Sequence, residues 1–308
     1  MAVVVVGFAT IGLFFTWRSL AATATVALEA ESGTVSGNTE PAPDTAASGG
    51  TAVRFKAGSN TGGDGSAYNT AVLADSPVLF LPMTVAGNTE KDLGSGNHAA
   101  NYKPSAVGKT TMPNGDPAAV FNGSSNYLEV NDADDLSIPT TKLLTIEAWM
   151  RPDVLDFPKT SGDGYVHWMG KGTAGQHEYV SRIYNKNTGR PNRISGYAYN
   201  AGGGEGAGSY FEDPTTAGQW IHYTLVIDAR PTGAYPLGFI KIYKNGVKRD
   251  EDTLAGAYNV HPANGTAPFR VGTRDFVSGY LLGAVGKVAI YNYALSDARI
   301  MAHYQAMK

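Results

Sequence analysis

The stretch Leu143–Met150, LLTIEAWM, constrains the chain most. Leu144, Ile146, Ala148 and Met150 alternate with Thr145, Glu147 and Trp149, a period of two that suits a strand and not a helix. The alternation predicts one face toward a core and the other toward water, with Glu147 a solvated carboxylate. Trp220–Asp228, WIHYTLVID, repeats the pattern and places Ile221, Tyr223, Leu225 and Ile227 on one side. Similar short runs occur at Pro77–Leu81, Ala118–Phe121, Asn126–Val130, Tyr165–Met169, Glu178–Tyr184, Arg193–Tyr199, Phe239–Tyr243, Val247–Arg249, Phe269–Gly272 and Lys287–Tyr291. Lys244-Asn245-Gly246 separates two of them and signals a type I′ hairpin, because Asn and Gly tolerate positive φ. One helix is expected at the end: Ser296 is a good N-cap, and Ile300, Tyr304 and Met307 share a face. The expected fold class is all-β, a two-sheet antiparallel jelly-roll sandwich with a short C-terminal helix.

Composition narrows the function. Glycine accounts for 38 of 308 residues, and only 17% are charged, against a usual ~25%. With 17 Tyr and 11 Phe, this suits a turn-rich extracellular β module. The absence of Cys removes disulfide scaffolds, thiolate metal sites and cysteine nucleophiles. A net charge of -3 without a Lys/Arg run argues against nucleic-acid partners. A mean hydropathy of -0.18 excludes a multi-span membrane protein.

The N-terminus differs from the rest. Residues 2–17, AVVVVGFATIGLFFTW, carry no charge and precede Arg18 and the small-x-small site Ala22-Thr23-Ala24. That pattern predicts a signal peptide or membrane anchor over 1–24, and hence a secreted or cell-surface protein. Residues 25–68 read as a stalk with strands at Val26–Glu31 and Thr51–Phe55, a Pro/Ala/Ser/Gly stretch between them, and the flexible GSNTGGDGSA at 58–67. The segments EAESGTVSG and ASGGTAVRF resemble the opening of family 6 and 35 carbohydrate-binding modules. That resemblance implies a structural calcium role for Glu29 and Glu31, but the family's remaining strands do not follow.

Five segments carry a second resemblance: LADSPVLFLPM, AAVFNGSSNYLEV, LTIEAWMRPD, IKIYKNG and GAVGKVAIYNYALSDARIMAHYQA. In that order they resemble the laminin-G-like jelly-roll family of the concanavalin A-like lectin/glucanase superfamily, over roughly 69–308. The resemblance implies the sandwich and leaves function open, since the superfamily holds lectins, adhesion modules, spacers and glycoside hydrolases. Its hydrolases carry Glu-x-Asp-x-x-Glu on one strand, which this sequence lacks. Asp250-Glu251-Asp252 lies just beyond a hairpin, where neighbours point to opposite faces. Neither Gly-x-Ser-x-Gly nor His-Glu-x-x-His occurs, and the glycine run 202–204 lacks the Lys of a phosphate loop.

The middle meander is the candidate site. GYVHWMGKG, HEYVSRIYN and NRISGYAYN bring His167, Trp168, Lys171, His177, Glu178, Arg182, Arg193, Tyr197 and Tyr199 onto neighbouring strands. Aromatic rings stack on sugar C–H faces, and Arg, His and Glu bond hydroxyls, so the set suits a glycan platform. The same residues also suit a buried salt-bridged network. Asn200–Asp213 reads as a Gly-rich rim loop carrying Tyr210, a further candidate contact. Asp132, Asp134 and Asp135 are candidate calcium ligands, as is the region near Asp75. Asn122-Gly123-Ser124 and Asn264-Gly265-Thr266 match glycan acceptor sequons.

The leading expectation is a non-catalytic lectin-like module for polysaccharide or glycoprotein glycans. The alternatives are a protein-protein adhesion module, or an atypical glycoside hydrolase. Arg193→Ala and Tyr199→Ala are expected to weaken glycan binding with Tm nearly unchanged.

Overall fold

The computed structural model describes residues 39–43, 51–55, 66–173, 175–202, 204–277 and 279–308. The apolar run 2–17, Ala22–Ala24, the expected strand Val26–Glu31 with Glu29 and Glu31, and the linker at 58–65 lie outside the described residues.

In the N-terminal part, β1 (Thr39–Pro43) pairs antiparallel with β2 (Thr51–Phe55), Thr39 opposite Phe55 and Pro43 opposite Thr51. The expected strand at 51–55 therefore forms, with a partner from the Pro/Ala/Ser/Gly stretch, where no strand is expected. A two-stranded ribbon is all edge, which is where prolines without a ladder N–H are tolerated.

The rest of the described chain runs α1 (Ala67–Ala74), β3 (Leu79–Leu81), β4 (Thr89–Glu90), β5 (Ala100–Lys103), β6 (Gly108–Thr111), β7 (Pro117–Asn122), β8 (Tyr127–Val130) and α2 (Ile138–Thr141). Then follow β9 (Leu143–Pro152), β10 (Tyr165–Thr173), β11 (Gln176–Tyr184), β12 (Ile194–Tyr199), β13 (Gly206–Phe211), β14 (Ile221–Asp228), β15 (Phe239–Lys244), β16 (Val247–Thr253), β17 (Phe269–Val271), β18 (Leu282–Tyr291) and α3 (Asp297–Ala306). One sheet has the order β13-β12-β11-β10-β17-β8-β5-β4, and the other β16-β15-β14-β9-β18-β7-β6 with β3 also on β18. Every pairing is antiparallel, as the sandwich expectation requires.

Leu144, Ile146, Ala148 and Met150 face the core between the sheets, with Tyr223, Leu225 and Ile227 from β14 and Trp168, Tyr179 and Ile183 from the opposite sheet. The other face of β9 is not solvated, contrary to the reading of its alternation. Trp149 joins a second apolar layer with Tyr68 and Val72 of α1, Ile300 of α3 and Met307 just beyond it. Glu147 is 0% exposed in that layer. A strand covered on both faces still alternates when one cover includes polar residues, so the period gives the strand but not its exposure.

Ser66 caps α1, its hydroxyl accepting from Asn69 N at 3.2 Å. Ser296 caps α3 in the same way, as its sequence predicts. The Asn245-Gly246 hairpin forms with φ of 55° and 79°. Asn200–Asp213 is not a plain loop: β13 occupies its second half and pairs with β12, Tyr210 lying opposite Ser195. Its glycines obscured a strand that is accommodated because Gly208 lies beneath the Tyr197 ring, where a Cβ would come within 2.6 Å of it.

Candidate functional site

The sequence-selected residues separate into four groups. Trp168 belongs to the core: it is 0% exposed and meets Tyr223 edge-on at 5.2 Å between ring centres. It offers no surface to a ligand.

Lys171 and Glu178 form a closed ionic network at the rim. Lys171 is fully buried, pairs with Glu178, and reaches Asp132 at 2.6 Å. Gly265 completes the ring: its carbonyl accepts from Lys171 and its N–H donates to Glu178, both at 3.1 Å. Burial raises the Glu178 carboxyl, and the Lys171 ammonium only partly offsets it.

The third group lies on the outer face of β10, β11 and β12. His167 stands opposite Arg182 in the register. Both point away from the core, where they alternate with Val166, Trp168 and Ile183. The Arg182 guanidinium carbon lies 3.9 Å from the Tyr197 ring centre, 4.7 Å from Tyr165 and 5.7 Å from Tyr199. Arg182 also donates to the Tyr199 hydroxyl. Tyr165 stacks on His167 at 5.0 Å, and Tyr197 on Tyr199 at 6.1 Å. His177 lies 5.4 Å from the Tyr199 ring, with its Nδ1 at 2.6 Å from Arg274. A pocket of about 450 Å³ opens beside this cluster, lined by Asp163, Tyr165, Arg182, Tyr184, Thr188 and Arg190.

Electrostatics set the protonation states there. Burial, then the charges of Arg274 and Arg182, hold the His167 imidazole well below its ordinary 6.5. It is therefore neutral near pH 7, with one nitrogen to donate and one to accept. Neither nitrogen has a hydrogen-bond partner within the described structure. Burial likewise lowers His177 and pushes the Tyr165 hydroxyl up to about 12. Flat tyrosine faces and a guanidinium can stack on a ring and bond hydroxyls, while His167 lies behind the Tyr165 ring with both nitrogens shielded.

Arg193 and Tyr210 form the fourth group, on the neighbouring surface. The Arg193 guanidinium lies 3.8 Å over the Tyr210 ring and bonds Glu212 at 2.7 Å.

The carboxylates chosen as calcium ligands do not converge. Asp132 pairs with Lys171, Asp134 accepts from Asn264 at 2.7 Å, and Asp135 meets His98 at 2.9 Å. Asp75 pairs with Arg299 at 2.7 Å and His303 at 2.9 Å. One oxygen of each is engaged by a side-chain partner, and among the described residues no group of three or more His, Asp or Glu is placed to hold a metal. Glu147, read as solvated, is buried: Tyr291 donates to it at 2.8 Å, His303 lies at 3.0 Å and His222 at 3.5 Å.

Sequence reading missed Tyr165, Tyr184, Arg190 and Arg274. Tyr165 and Tyr184 had a signal, since they stand two residues from His167 and Arg182 and so share their faces. Arg274 had none, because it arrives from a distant loop.

Residues 122–301 match a family model described as "Concanavalin A-like lectin/glucanases superfamily". No curated protein matches the sequence. Among solved structures, the binding domain of botulinum neurotoxin DC in complex with SialylT aligns with a TM-score of 0.54 and 12% identity, over 76% of this chain and 52% of that one. The botulinum neurotoxin serotype D ligand binding domain in complex with N-acetylneuraminic acid aligns with a TM-score of 0.55 and 13% identity, over 76% and 52%. The chain thus spans about half the length of these structures, and the likeness concerns the fold.

Proposed function

The chain belongs to the concanavalin A-like lectin/glucanases superfamily, and on that premise we propose that it is a non-catalytic carbohydrate-binding protein whose site is the outer face of β10–β12. One observation carries the reading. Tyr165, Tyr184, Arg182 and Arg190 meet at an open pocket. A sugar ring stacks on a tyrosine face while its hydroxyls take the donors of Arg182 and Arg190. The two neurotoxin domains of like fold, one in complex with SialylT and one with N-acetylneuraminic acid, support a glycan partner in general terms. The apolar run 2–17 followed by Ala22-Thr23-Ala24 supports export or surface anchoring as part of the same proposal.

The test is a broad glycan array on the full chain, in calcium and in chelator. Binding to one coherent glycan class is the expected result. Chelation is expected to leave it unchanged, because Asp132, Asp134 and Asp135 are held by Lys171, Asn264 and His98. Silence from folded protein in both conditions removes the reading and leaves a protein-protein adhesion module.

A further inference from the structure

Five cationic side chains are buried in the described structure: Lys171, Arg182, Arg270, Arg274 and Lys287. Four have a carboxylate within reach. Lys171 meets Glu178 and Asp132, Arg270 meets Glu129 at 2.8 Å, Arg274 meets Asp275, and Lys287 meets Asp116 at 2.9 Å. Burying an ion costs several kcal/mol unless a counter-charge and hydrogen bonds compensate, so this pairing is the physical norm.

Arg182 departs from it. It is 9% exposed, and its neighbours are tyrosines: the rings of Tyr165, Tyr197 and Tyr199 and the Tyr199 hydroxyl. Among the described residues no carboxylate forms an ion pair with it, and its Nε has no hydrogen-bond partner. Ring faces stabilise a guanidinium by only about 1–2 kcal/mol, less than a paired carboxylate supplies in a desolvated site. The tyrosines fix the fork in place without neutralising it. The pocket at its edge also carries Arg190 and one acid, Asp163, which accepts from the Tyr165 hydroxyl at 2.9 Å.

We propose that the missing counter-charge belongs to the ligand: the pocket takes a sugar bearing a carboxylate, of the uronic or sialic acid class, and seats that carboxylate on Arg182. A carboxylate is planar and accepts two N–H bonds side by side, which matches the guanidinium edge. The inference rests on the carbohydrate reading above, and narrows it from sugars in general to acidic ones.

Matched pairs of probes test it by calorimetric titration of the full chain. One pair is a galacturonic acid oligosaccharide and its methyl ester; the other is sialyllactose and lactose. In at least one pair the free acid should bind at least about tenfold more tightly, the size expected for a charge-assisted hydrogen bond. Arg182→Gln should erase that preference. Because this variant disturbs a packed cluster, the ester comparison on the unaltered protein stands as an independent measurement. Equal binding of acid and ester, and of sialyllactose and lactose, overturns the inference while leaving a neutral-sugar site. A preference for the acid that survives Arg182→Gln in folded protein also overturns it, by seating the carboxylate elsewhere. Silence from all four probes and from the glycan array overturns the carbohydrate reading itself.

Discussion

His303 Nδ1 lies 3.0 Å from Glu147 Oε1, with both side chains 0% exposed where α3 covers β9. Burial pushes the Glu147 carboxyl up, but hydrogen bonds from His222 and His303 outweigh it and hold it at about 2. Burial lowers His303, and the Glu147 hydrogen bond and the charges of Glu147 and Asp75 outweigh that, raising it above 6.5. The ion pair therefore fastens the C-terminal helix to the sheet.

The pH dependence follows with a definite sign. Glu147, depressed on folding, contributes stability in full above 4.5 and loses it as pH falls toward about 2. His303, raised on folding, contributes in full below 6.5 and loses it as pH rises through its elevated value. Tyr68, Tyr291, His222, Asp75 and Arg299 surround the pair. Urea unfolding should show wild-type stability falling as pH rises above 6.5 through the elevated His303 value, and His303→Gln should flatten that alkaline limb. Glu147→Ala should cost about 3–5 kcal/mol, because it strands a buried imidazolium. An unchanged alkaline limb in His303→Gln would refute the assignment.

Lys171 and Glu178 predict a strongly non-additive pair. Lys171→Met alone leaves Glu178, 1% exposed, without its cation, and should cost about 3–5 kcal/mol. Adding Glu178→Leu to Lys171→Met should recover most of that loss, since neither charge then remains buried. Denaturation of the two singles and the double gives the coupling energy, and additivity would show that the pair is not closed.

The extent to which these features were legible in the sequence depends on what kind of contact makes them. Strands such as β9 and β14 were legible because alternation is local, and the Asn245-Gly246 turn because its φ demand is local. Strand β13 was hidden because Gly206 and Gly208 carry no side chain to show a period. The burial of Glu147 was hidden because His222 and His303 reach it from β14 and α3, a contact that no spacing encodes. The outer-face cluster was half legible. His167, Arg182, Tyr197 and Tyr199 share a face by parity, whereas Trp168, one residue from His167, points the other way into the core.

That parity makes Trp168 a control. Trp168→Ala should lower stability by about 3–5 kcal/mol through lost burial and a cavity. The milder Trp168→Phe should leave affinity for any glycan ligand within about twofold of wild type, because the ring never reaches the pocket face; twofold is below 0.5 kcal/mol. A large loss of affinity in folded Trp168→Phe would place the ligand on the wrong side of the sheet.

Tyr199 separates the binding role from the structural one. Its sequence position suggested a contact removable without affecting Tm, but the ring is 5% exposed, stacks on Tyr197 and accepts from Arg182. Tyr199→Ala should therefore lower stability by about 3–5 kcal/mol, as for other buried aromatic truncations. Tyr199→Phe keeps the ring and removes only the acceptor, at about 1 kcal/mol. Arg193 is the contrast, since it rests on exposed Tyr210 and pairs with Glu212 at the surface. Arg193→Ala should change stability by no more than about 0.5 kcal/mol. Thermal melts of the three variants rank them, with Tyr199→Ala far below the other two. A Tyr199→Ala protein as stable as wild type would mean that the tyrosine cluster around Arg182 contributes little to the fold, leaving ligand contact as its main role.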